Sequence, residues 1–416
     1  MLVRLAIASL WNRKGSALLT LLAIAVSVFV LLGVELVRGQ AKSSFYNTVS
    51  GIDLIVGART GDINLLLYSV FHLGNATNNI SWESYRQIAD KPEVAWTIPI
   101  ALGDSHKGYR VMGTSSDYFQ HFRYGQKQPL AFAKGSAFAD TFDLVLGSEV
   151  AKTLGYTLGD EVVLAHGLGR TSFSKHSDKP FTVVGILNAT GTPVDQTLTV
   201  SLEGIEAIHL GWQNGVQLPR HLSAQQSPQH VDLTPESITA FMVGLQSKMA
   251  TFSLQRQING FQAEPLLAIL PGVTLSQLWQ LMSVMENTLR LISALVFFAA
   301  LLGLAAMLLA SIRERQQEIA VMRAIGAPPW FLLLLIEGEA TLIALSGFVL
   351  ASGALTATTA LGAPLLAEKF SLFIDYALLA KPAAIVLALL LVSTAVIALI
   401  PGISAYRRAL HQQLCR

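Results

Sequence analysis

Residues 288–311 read TLRLISALVFFAALLGLAAMLLAS, and Arg290 is the single charged residue in this apolar run. A run of about 20 apolar residues is long enough to cross the hydrocarbon core of a bilayer as a helix, which satisfies its own backbone hydrogen bonds there. Three further apolar runs occupy residues 16–36, 330–355 and 383–401. The sequence therefore predicts four transmembrane helices.

The composition agrees with a membrane protein. Of the 416 residues, 52% are hydrophobic and 13% are charged, whereas charged residues make up about a quarter of an ordinary soluble protein. The apolar excess lies at the N-terminus and in the last third, while residues 37–287 have the composition of a globular domain. The net charge of +2 gives no strongly basic face, so nucleic acid is not an expected partner.

The first apolar run has a second interpretation. The preceding Arg4, Arg13 and Lys14 and the small residues Gly39 and Ala41 also fit a cleavable signal peptide. The apolar core of a signal peptide is usually about 7–15 residues long. The run at residues 16–36 is longer, which favours an uncleaved membrane helix.

Basic residues in the short segments predict the orientation, because cytoplasmic loops carry an excess of lysine and arginine. They cluster before the first span, between the second and third, and after the fourth: Arg4, Arg13, Lys14, Arg313, Arg315, Arg323, Arg407, Arg408 and Arg416. The prediction places an amphipathic helix at 1–15, a helix at 312–329 and a tail at 402–416 in the cytoplasm. Residues 37–287 and a short loop at 356–382 then lie outside.

The segment between the first two spans has the pattern of a mixed α/β domain. Residues 143–167, DLVLGSEVAKTLGYTLGDEVVLAHG, read as a strand, a short helix, a Gly-Asp turn and another strand. Lys179–Leu187 alternates as a half-buried strand does, and Ser81 is a candidate N-cap of a helix. Residues 211–232 are polar and predict a flexible excursion. A helix from about Leu275 is expected to continue into the second span.

Three stretches resemble a known family. Residues 5–28, LAIASLWNRKGSALLTLLAIAVSV, have an amphipathic helix and a basic break before the first span. Residues 317–340, QEIAVMRAIGAPPWFLLLLIEGEA, have a Glu-Ile pair, an Arg, an Ala-Ile-Gly-Ala turn and a Glu inside the next span. With the LGSEVAKTLGYTLGDEV segment, these features resemble the MacB/LolC/FtsX-type permeases of ABC transporters (the FtsX-like permease family) over nearly the whole chain.

The resemblance implies a fold class, membrane α plus α/β, with four transmembrane helices and a large extracytoplasmic mixed α/β domain inserted between helices 1 and 2. In MacB-like proteins this domain has a porter and an inserted subdomain. The resemblance also implies a location in the bacterial inner membrane. The implied partners are a cytoplasmic ABC ATPase, a second permease copy, identical or not, and a periplasmic adaptor or substrate-binding protein.

Residues 312–329 are the expected contact with the ATPase. Ile319, Met322 and Arg323 recur at helical spacing, and Gly326 before Ala327 and two prolines predicts a sharp stop. A short helix of this kind presents a small, rigid knob to a partner; a plain connector between spans is the alternative. The coupling residues implied by the resemblance are Glu318, Ile319, Met322, Arg323, Ala324, Gly326 and Ala327.

The sequence has no motif for enzymatic chemistry of its own. No GxxxxGK[ST] stretch is present to cradle nucleotide phosphates, and GxSxG and HExxH patterns are absent as well. We therefore expect no catalytic residue and no directly bound cofactor. ATP and Mg²⁺ are expected on the partner ATPase.

Four acidic residues lie in or near the spans. Glu35 and Glu286 are close to the outer ends, where a carboxylate is easily solvated. Glu337 and Glu339 lie about two turns into the third span, where a charge is costly and indicates function by default. Because they are two residues apart, they do not share a helix face. A structural ion pair with Arg313 or Arg323 is favoured over substrate or proton handling.

Histidines are concentrated in the inserted domain, and the metal-ligand candidates are His166, His176, Asp178 and His209. They lack a compact metal-binding spacing, so scattered surface histidines are the simpler interpretation. Residues 165–209 nevertheless resemble permeases of zinc-regulated bacterial operons. Zinc is therefore kept as a hypothesis.

The predicted function is that of a permease subunit working by mechanotransmission. A partner ATPase moves the 312–329 helix, and the outer domains shift to export or extract a lipoprotein, peptide or other amphipathic cargo. The alternatives are a membrane sensor or scaffold that signals to periplasmic partners, and metal (zinc)-linked transport. The spans contain no histidine, which disfavours a metal path.

Overall fold

The computed structural model describes residues 2–48, 50–125, 127–166, 179–210, 212–213, 216–217, 232–314, 321, 324–370 and 377–414. The chain divides into two compact units. The membrane unit comprises Met1–Ala41, Met282–Pro364 and Ile374–Arg416. The inserted domain comprises Lys42–Leu281 with Leu365–Phe373.

The described helices are numbered in chain order. They are α1 (Leu2–Asn12), α2 (Lys14–Thr48), α3 (Asp62–Val70), α4 (Trp82–Ala89), α5 (Asp117–His121), α6 (Ser148–Leu154), α7 (Leu202–His209), α8 (Thr251–Asn259), α9 (Pro271–Glu314), α10 (Pro329–Phe370) and α11 (Ala377–Leu414). The break between α1 and α2 falls at Arg13, where the sequence predicts a basic break before the first span.

Within the described residues, four helices are long and apolar enough to cross a membrane, as the sequence predicts. The candidate spans are Lys14–Ser43, Pro271–Glu314, Trp330–Ala363 and Leu379–Ser404, which lie in α2, α9, α10 and α11. Their buried side chains form one apolar cluster that includes Leu32, Leu304, Ala344 and Leu390. Small residues in this cluster let helices approach closely in a bilayer, where packing rather than water exclusion drives association.

The helices extend beyond the predicted apolar spans. Helix α9 begins at Pro271, which confirms the helix predicted to continue into the second span. Helix α10 runs to Phe370 and α11 starts at Ala377, so the described residues of the predicted 356–382 loop are helical. Apolar length marks the thickness of the bilayer rather than the end of a helix. The hydroxyls of Thr356 and Thr359 donate to carbonyls of the preceding turn, so these polar residues fit the helix.

The described strands are also numbered in chain order. They are β1 (Leu54–Ala58), β2 (Ile80–Ser81), β3 (Val94–His106), β4 (Tyr109–Thr114), β5 (Arg123–Tyr124), β6 (Gln128–Pro129), β7 (Phe132–Gly135), β8 (Asp143–Leu146), β9 (Glu161–Val162), β10 (Ala165–His166), β11 (Phe181–Leu187), β12 (Thr197–Ser201), β13 (Trp212–Gln213), β14 (Val216–Gln217), β15 (Ser237–Ile238), β16 (Ala240–Leu245) and β17 (Leu266–Ile269).

One mixed sheet organises the inserted domain. Its strand order is β17-β1-β16-β3-β4-β12-β8-β11-β7, with β10 paired to β3 and β9 to β11. The β4–β12 and β8–β11 pairs are parallel, and the other described pairs of this sheet are antiparallel. The β4–β12 pair connects the strands of residues 132–201 to the other strands of the sheet. Those strands are β1, β3 and β4 from the start of the domain and β16 and β17 from its end. The division into a porter and an inserted subdomain stays a prediction.

The sheet is covered on both faces. In β1, Leu54 and Val56 belong to one buried cluster and Ile55 to another. In β8, Leu144 and Val145 likewise fall into different clusters. Successive side chains of a strand point to opposite faces, so apolar layers lie on both sides. This explains why all five residues of β1 are buried.

Local sequence signals account for several of these elements. Helix α6 ends at Gly155, which has φ +72°, and Gly159 in the following turn has φ +89°, values that glycine adopts at little cost. The Asp160 carboxylate accepts the Thr157 N–H at 2.7 Å in this turn. Strand β11 alternates in burial as predicted. Ser81 caps α4 by accepting the Ser84 N–H at 3.3 Å.

Candidate functional site

The predicted ATPase contact is described from Ala324 onward, together with Val321. Glu318, Ile319, Met322 and Arg323 lie outside the described residues. The Ile325 N–H donates to the Val321 carbonyl at 3.1 Å, a helical bond one turn long. Gly326 follows with φ +96°, the left-handed conformation typical of a helix C-terminus. The sharp stop predicted at Gly326 is therefore present, and α10 begins three residues later.

This turn exposes apolar side chains. Ile325 is 82% exposed and Val321 is 57% exposed, and the two are one helical turn apart. Trp330, at the start of α10, is also exposed. Ala324 and Gly326 add exposed surface without a large side chain. An apolar knob beside a sharp turn is suited to insertion into a groove of a partner. We call Val321, Ala324, Ile325 and Gly326 the coupling knob.

The two intramembrane acids have different surroundings, as their spacing predicts. Glu339 is buried in the membrane unit, with 2% of its surface exposed. Glu337 is partly exposed, yet its Oε1 is buried and has no hydrogen-bond partner. The described ion pairs do not join Glu337 to Arg313. Pairing with Arg323 stays a prediction, because that residue is outside the described part of the chain.

The metal-ligand candidates are only partly brought together. His209, the last residue of α7, has its Nε2 3.6 Å from Oδ2 of Asp104 in β3. The backbone of His166 pairs with that of Asp104 across β10 and β3. His176 and Asp178 lie outside the described residues. Within the described ranges, His, Cys, Asp and Glu side chains form no group of three that is able to hold a metal ion.

A cavity adjoins the Asp104–His209 pair. It has a volume of about 160 Å³ and is lined by residues 101–104 of β3, by α7 and by residues near β15. Glu206 of α7 also lines it, and burial raises the pKa of this carboxyl. The walls combine Ala101, Leu202 and Ile205 with these ionisable groups. The cavity is therefore lined by both apolar and acidic side chains.

Comparison with protein families decides the identity. The family profile described as MacB-like periplasmic core domain matches residues 17–260, more than half of the chain. The profile described as FtsX-like permease C-terminal matches residues 290–411. The chain belongs to the FtsX-like permease family. It is an ABC transporter permease with a MacB-like periplasmic core domain.

Two solved structures are similar to part of the chain. The periplasmic region of MacB from Actinobacillus actinomycetemcomitans is 11% identical, with a TM-score of 0.33 over 55% of this chain and 94% of that one. The extracellular domain of the noncanonic ABC-type transporter YknZ from Gram-positive bacteria is 14% identical, with a TM-score of 0.30 over 52% and 98%. Both TM-scores are low, so the sequence profiles alone assign the family. Among curated proteins, none matches the chain.

Family membership places the permease in a membrane and implies a separate ABC ATPase as its partner. The coupling knob lies in the match to the FtsX-like profile, and the Asp104–His209 pair lies in the match to the MacB-like profile. Sequence reasoning missed Val321 and Ile325 as exposed residues of the knob. Their spacing of four residues places both on one face of a helix, and this pattern could have identified them. Asp104 was missed because no local pattern reveals a partner on another element.

Proposed function

We propose that the permease works by mechanotransmission. A partner ATPase binds and hydrolyses ATP with Mg²⁺, moves the 312–329 segment, and thereby shifts the MacB-like domain on the other side of the membrane. The cargo class is a lipoprotein, a peptide or another amphipathic molecule. Movement of such a cargo is export or extraction rather than uptake.

The observation that carries the proposal is the extent of α9. This single helix runs from Pro271, in the inserted domain, to Glu314, beside the predicted contact with the ATPase. At a rise of about 1.5 Å per residue, a helix of 44 residues is about 66 Å long. A continuous helix of this length supports the transmission of a displacement along its axis.

The proposed location is the inner membrane of a bacterium, with both termini in the cytoplasm. The excess of lysine and arginine before the first span, between the second and third spans and after the fourth supports this orientation. It puts the coupling knob and the ATPase on the same side. The MacB-like domain then faces the periplasm, where an adaptor or a substrate-binding protein is its proposed partner.

The proposed functional unit contains two permease copies and two ATPases. Four spans per chain are too few to enclose a translocation path. A mechanical device needs no enclosed path, since two outer domains that move against each other act directly on the cargo. Whether the second copy is identical decides between a homodimer and a heterodimer.

Co-purification of the permease with its partner ABC ATPase tests the proposal. We expect Arg323→Ala and Gly326→Ala to lower ATPase association or permease-stimulated ATP hydrolysis about tenfold, because both lie in the coupling segment. Any side chain at φ +96° strains the Gly326 turn. Gly303→Ala is the matched control, because an added Cβ there meets no atom within 4 Å. If no ATPase associates in mild detergent, or if both variants behave as Gly303→Ala does, the proposal is wrong.

A further inference from the structure

Four charged side chains join the first and second spans near one end. Nε of Arg290 lies 3.0 Å from Oε1 of Glu35, and Arg38 pairs with Glu286. Arg38 also lies 3.2 Å from Glu35 on its own helix, and Arg290 lies 3.7 Å from Glu286. Each acid thus contacts both bases. We call this closed set of four residues the charge ring.

The charge ring fixes how α2 and α9 are aligned. Glu35 and Arg38 are about one turn apart on α2, and their cross-helix partners Arg290 and Glu286 are about one turn apart in the reverse direction on α9. This is the order expected of antiparallel helices in one register. A slip of one turn, about 5.4 Å along the axis, separates both cross-helix pairs at once.

The far ends of the same two helices carry a second tie. Arg13, just before α2, lies 3.5 Å from Glu314, the last residue of α9. By helix rise, Arg13 is about 33 Å from Glu35, and Glu314 is about 36 Å from Arg290. The two distances agree to within a turn, so one register satisfies both ties. Between them, side chains of both helices share the apolar cluster of the membrane unit.

The surroundings of the charge ring make it stronger than isolated surface pairs. The side chains of Glu286, Glu35 and Arg38 are 13%, 25% and 29% exposed, and that of Arg290 is 42% exposed. Exposed ion pairs contribute about 0–1 kcal/mol each, and several charges that form a network contribute more. Partial burial also reduces screening by salt. Two acids and two bases leave no net charge to be solvated at the end of a span.

We infer that the charge ring locks α2 and α9 against sliding, so that the two helices move as one lever. The role of this lever in an ATP-driven cycle rests on the proposed function. The lock itself does not, because it is a property of the permease alone. Breaking the ring frees the helices to slide, and an inverted ring of the same geometry restores the lock.

Charge reversal tests whether the lock depends on the pairing of opposite charges rather than on which residue carries each charge. Arg290→Glu leaves Glu35, Glu286 and the new acid facing one base, Arg38. The fourfold variant E35R/R38E/E286R/R290E inverts every charge and keeps all four contacts alternating. Arg256→Glu, on an exposed position of the inserted domain, is the matched single reversal outside the ring.

Spin-label distances measure sliding directly. The permease, with Cys415→Ser, carries labels at V37C and L302C, two exposed positions offset by about 20 Å along the helix pair. Labelled chains are diluted with unlabelled copies in lipid nanodiscs. We expect one narrow distance distribution in the parent, in Arg256→Glu and in the fourfold variant. In Arg290→Glu we expect a broader distribution with a population displaced by about one turn, 5 Å.

Two results overturn the inference. The first is that, without nucleotide, Arg290→Glu gives the same spin-label distance distribution as the parent. The other is a parent distance that itself shifts by about a turn when the ATPase is trapped with ATP and vanadate. The nucleotide-free comparison needs no ATPase. It therefore tests the lock even if no ATPase associates with the permease and the proposed function is wrong.

Discussion

Oδ2 of Asp104 lies 3.6 Å from Nε2 of His209, which joins a buried carboxylate of β3 to the last residue of α7. Only 2% of the Asp104 side chain is exposed, so protein groups rather than water surround it. The same pair borders the acidic cavity of the inserted domain. The Asp104–His209 contact therefore links β3 to α7 beside this cavity.

We expect Asp104→Ala and His209→Ala each to lower the stability of the inserted domain by about 1–2 kcal/mol, because each removes one partner of a buried polar contact. The double variant should lose less than the sum of the two single losses, since both remove the same interaction. Thermal unfolding of the purified permease measures this. Glu161→Ala, at an exposed carboxylate of β9, is the control. Strictly additive losses would show that the two side chains do not interact.

A second prediction concerns His72. Its Nδ1 lies 2.9 Å from Oγ1 of Thr197. Burial, with a smaller effect of the Arg110 charge, lowers the pKa of His72 from 6.5 to about 4. Between these values the unfolded chain binds a proton that the folded domain does not. Stability is therefore lost as the pH falls from about 6.5 to about 4.

One pKa unit corresponds to about 1.4 kcal/mol. Because the His72 side chain is only partly buried, we expect a loss of stability of roughly 2 kcal/mol over this pH window, less than the full shift in pKa gives. Unfolding at pH 7 and pH 4.5 measures it. His72→Asn is the comparison, because His72 has φ +53° and asparagine tolerates this conformation. The variant should lose clearly less stability on acidification. Equal losses in both proteins would show that His72 is not the group responsible.

A third prediction concerns Gly135 at the end of β7. It has φ +72°, and a Cβ there overlaps the backbone carbonyl of Val184 in the neighbouring strand β11. Gly135→Ala should therefore destabilise the inserted domain by about 3 kcal/mol or more, through backbone strain and lost strand pairing. Gly61→Ala meets no atom within 4 Å and should be nearly neutral. Unfolding that is the same in both variants would refute the close approach.

A fourth prediction concerns the coupling knob. Ile325→Ser should weaken ATPase binding about tenfold, which corresponds to about 1.4 kcal/mol, because it removes the most exposed apolar side chain of the knob. The stability of the permease should not change, since Ile325 makes little buried contact. Titration of the ATPase against immobilised permease measures the affinity. Met249→Ser, at an apolar residue of the inserted domain that is 92% exposed, is the control. Equal affinity of both variants would exclude the knob as a contact.

Much of the fold follows from local sequence signals. The apolar runs predict α2, α9, α10 and α11, and the predicted Gly-Asp turn follows α6. The order of the sheet does not follow, because β17 lies beside β1 and β4 lies parallel to β12 through pairings between distant segments. Such pairings depend on the packing of the whole domain rather than on propensity. The end of α10 was missed because apolarity stops before the helix does.

The candidate sites were less predictable than the fold. Glu35 and Glu286 were expected to be solvated at the ends of the spans, and instead they pair with Arg38 and Arg290. Sequence shows the charges but not which faces of two helices meet. The same limit applies to Asp104 and His209. The turn at Gly326 was predictable because glycine before two prolines encodes it locally.

Mechanotransmission requires that ATP bound by the cytoplasmic ATPase changes the separation of the two outer domains. Energy transfer between dyes at M249C, in a Cys415→Ser permease with two copies and its ATPase in nanodiscs, reports the separation of those domains. We predict a different separation in the vanadate-trapped complex than without nucleotide, and no difference in Arg323→Ala. An unchanged separation in a complex that hydrolyses ATP would contradict mechanotransmission.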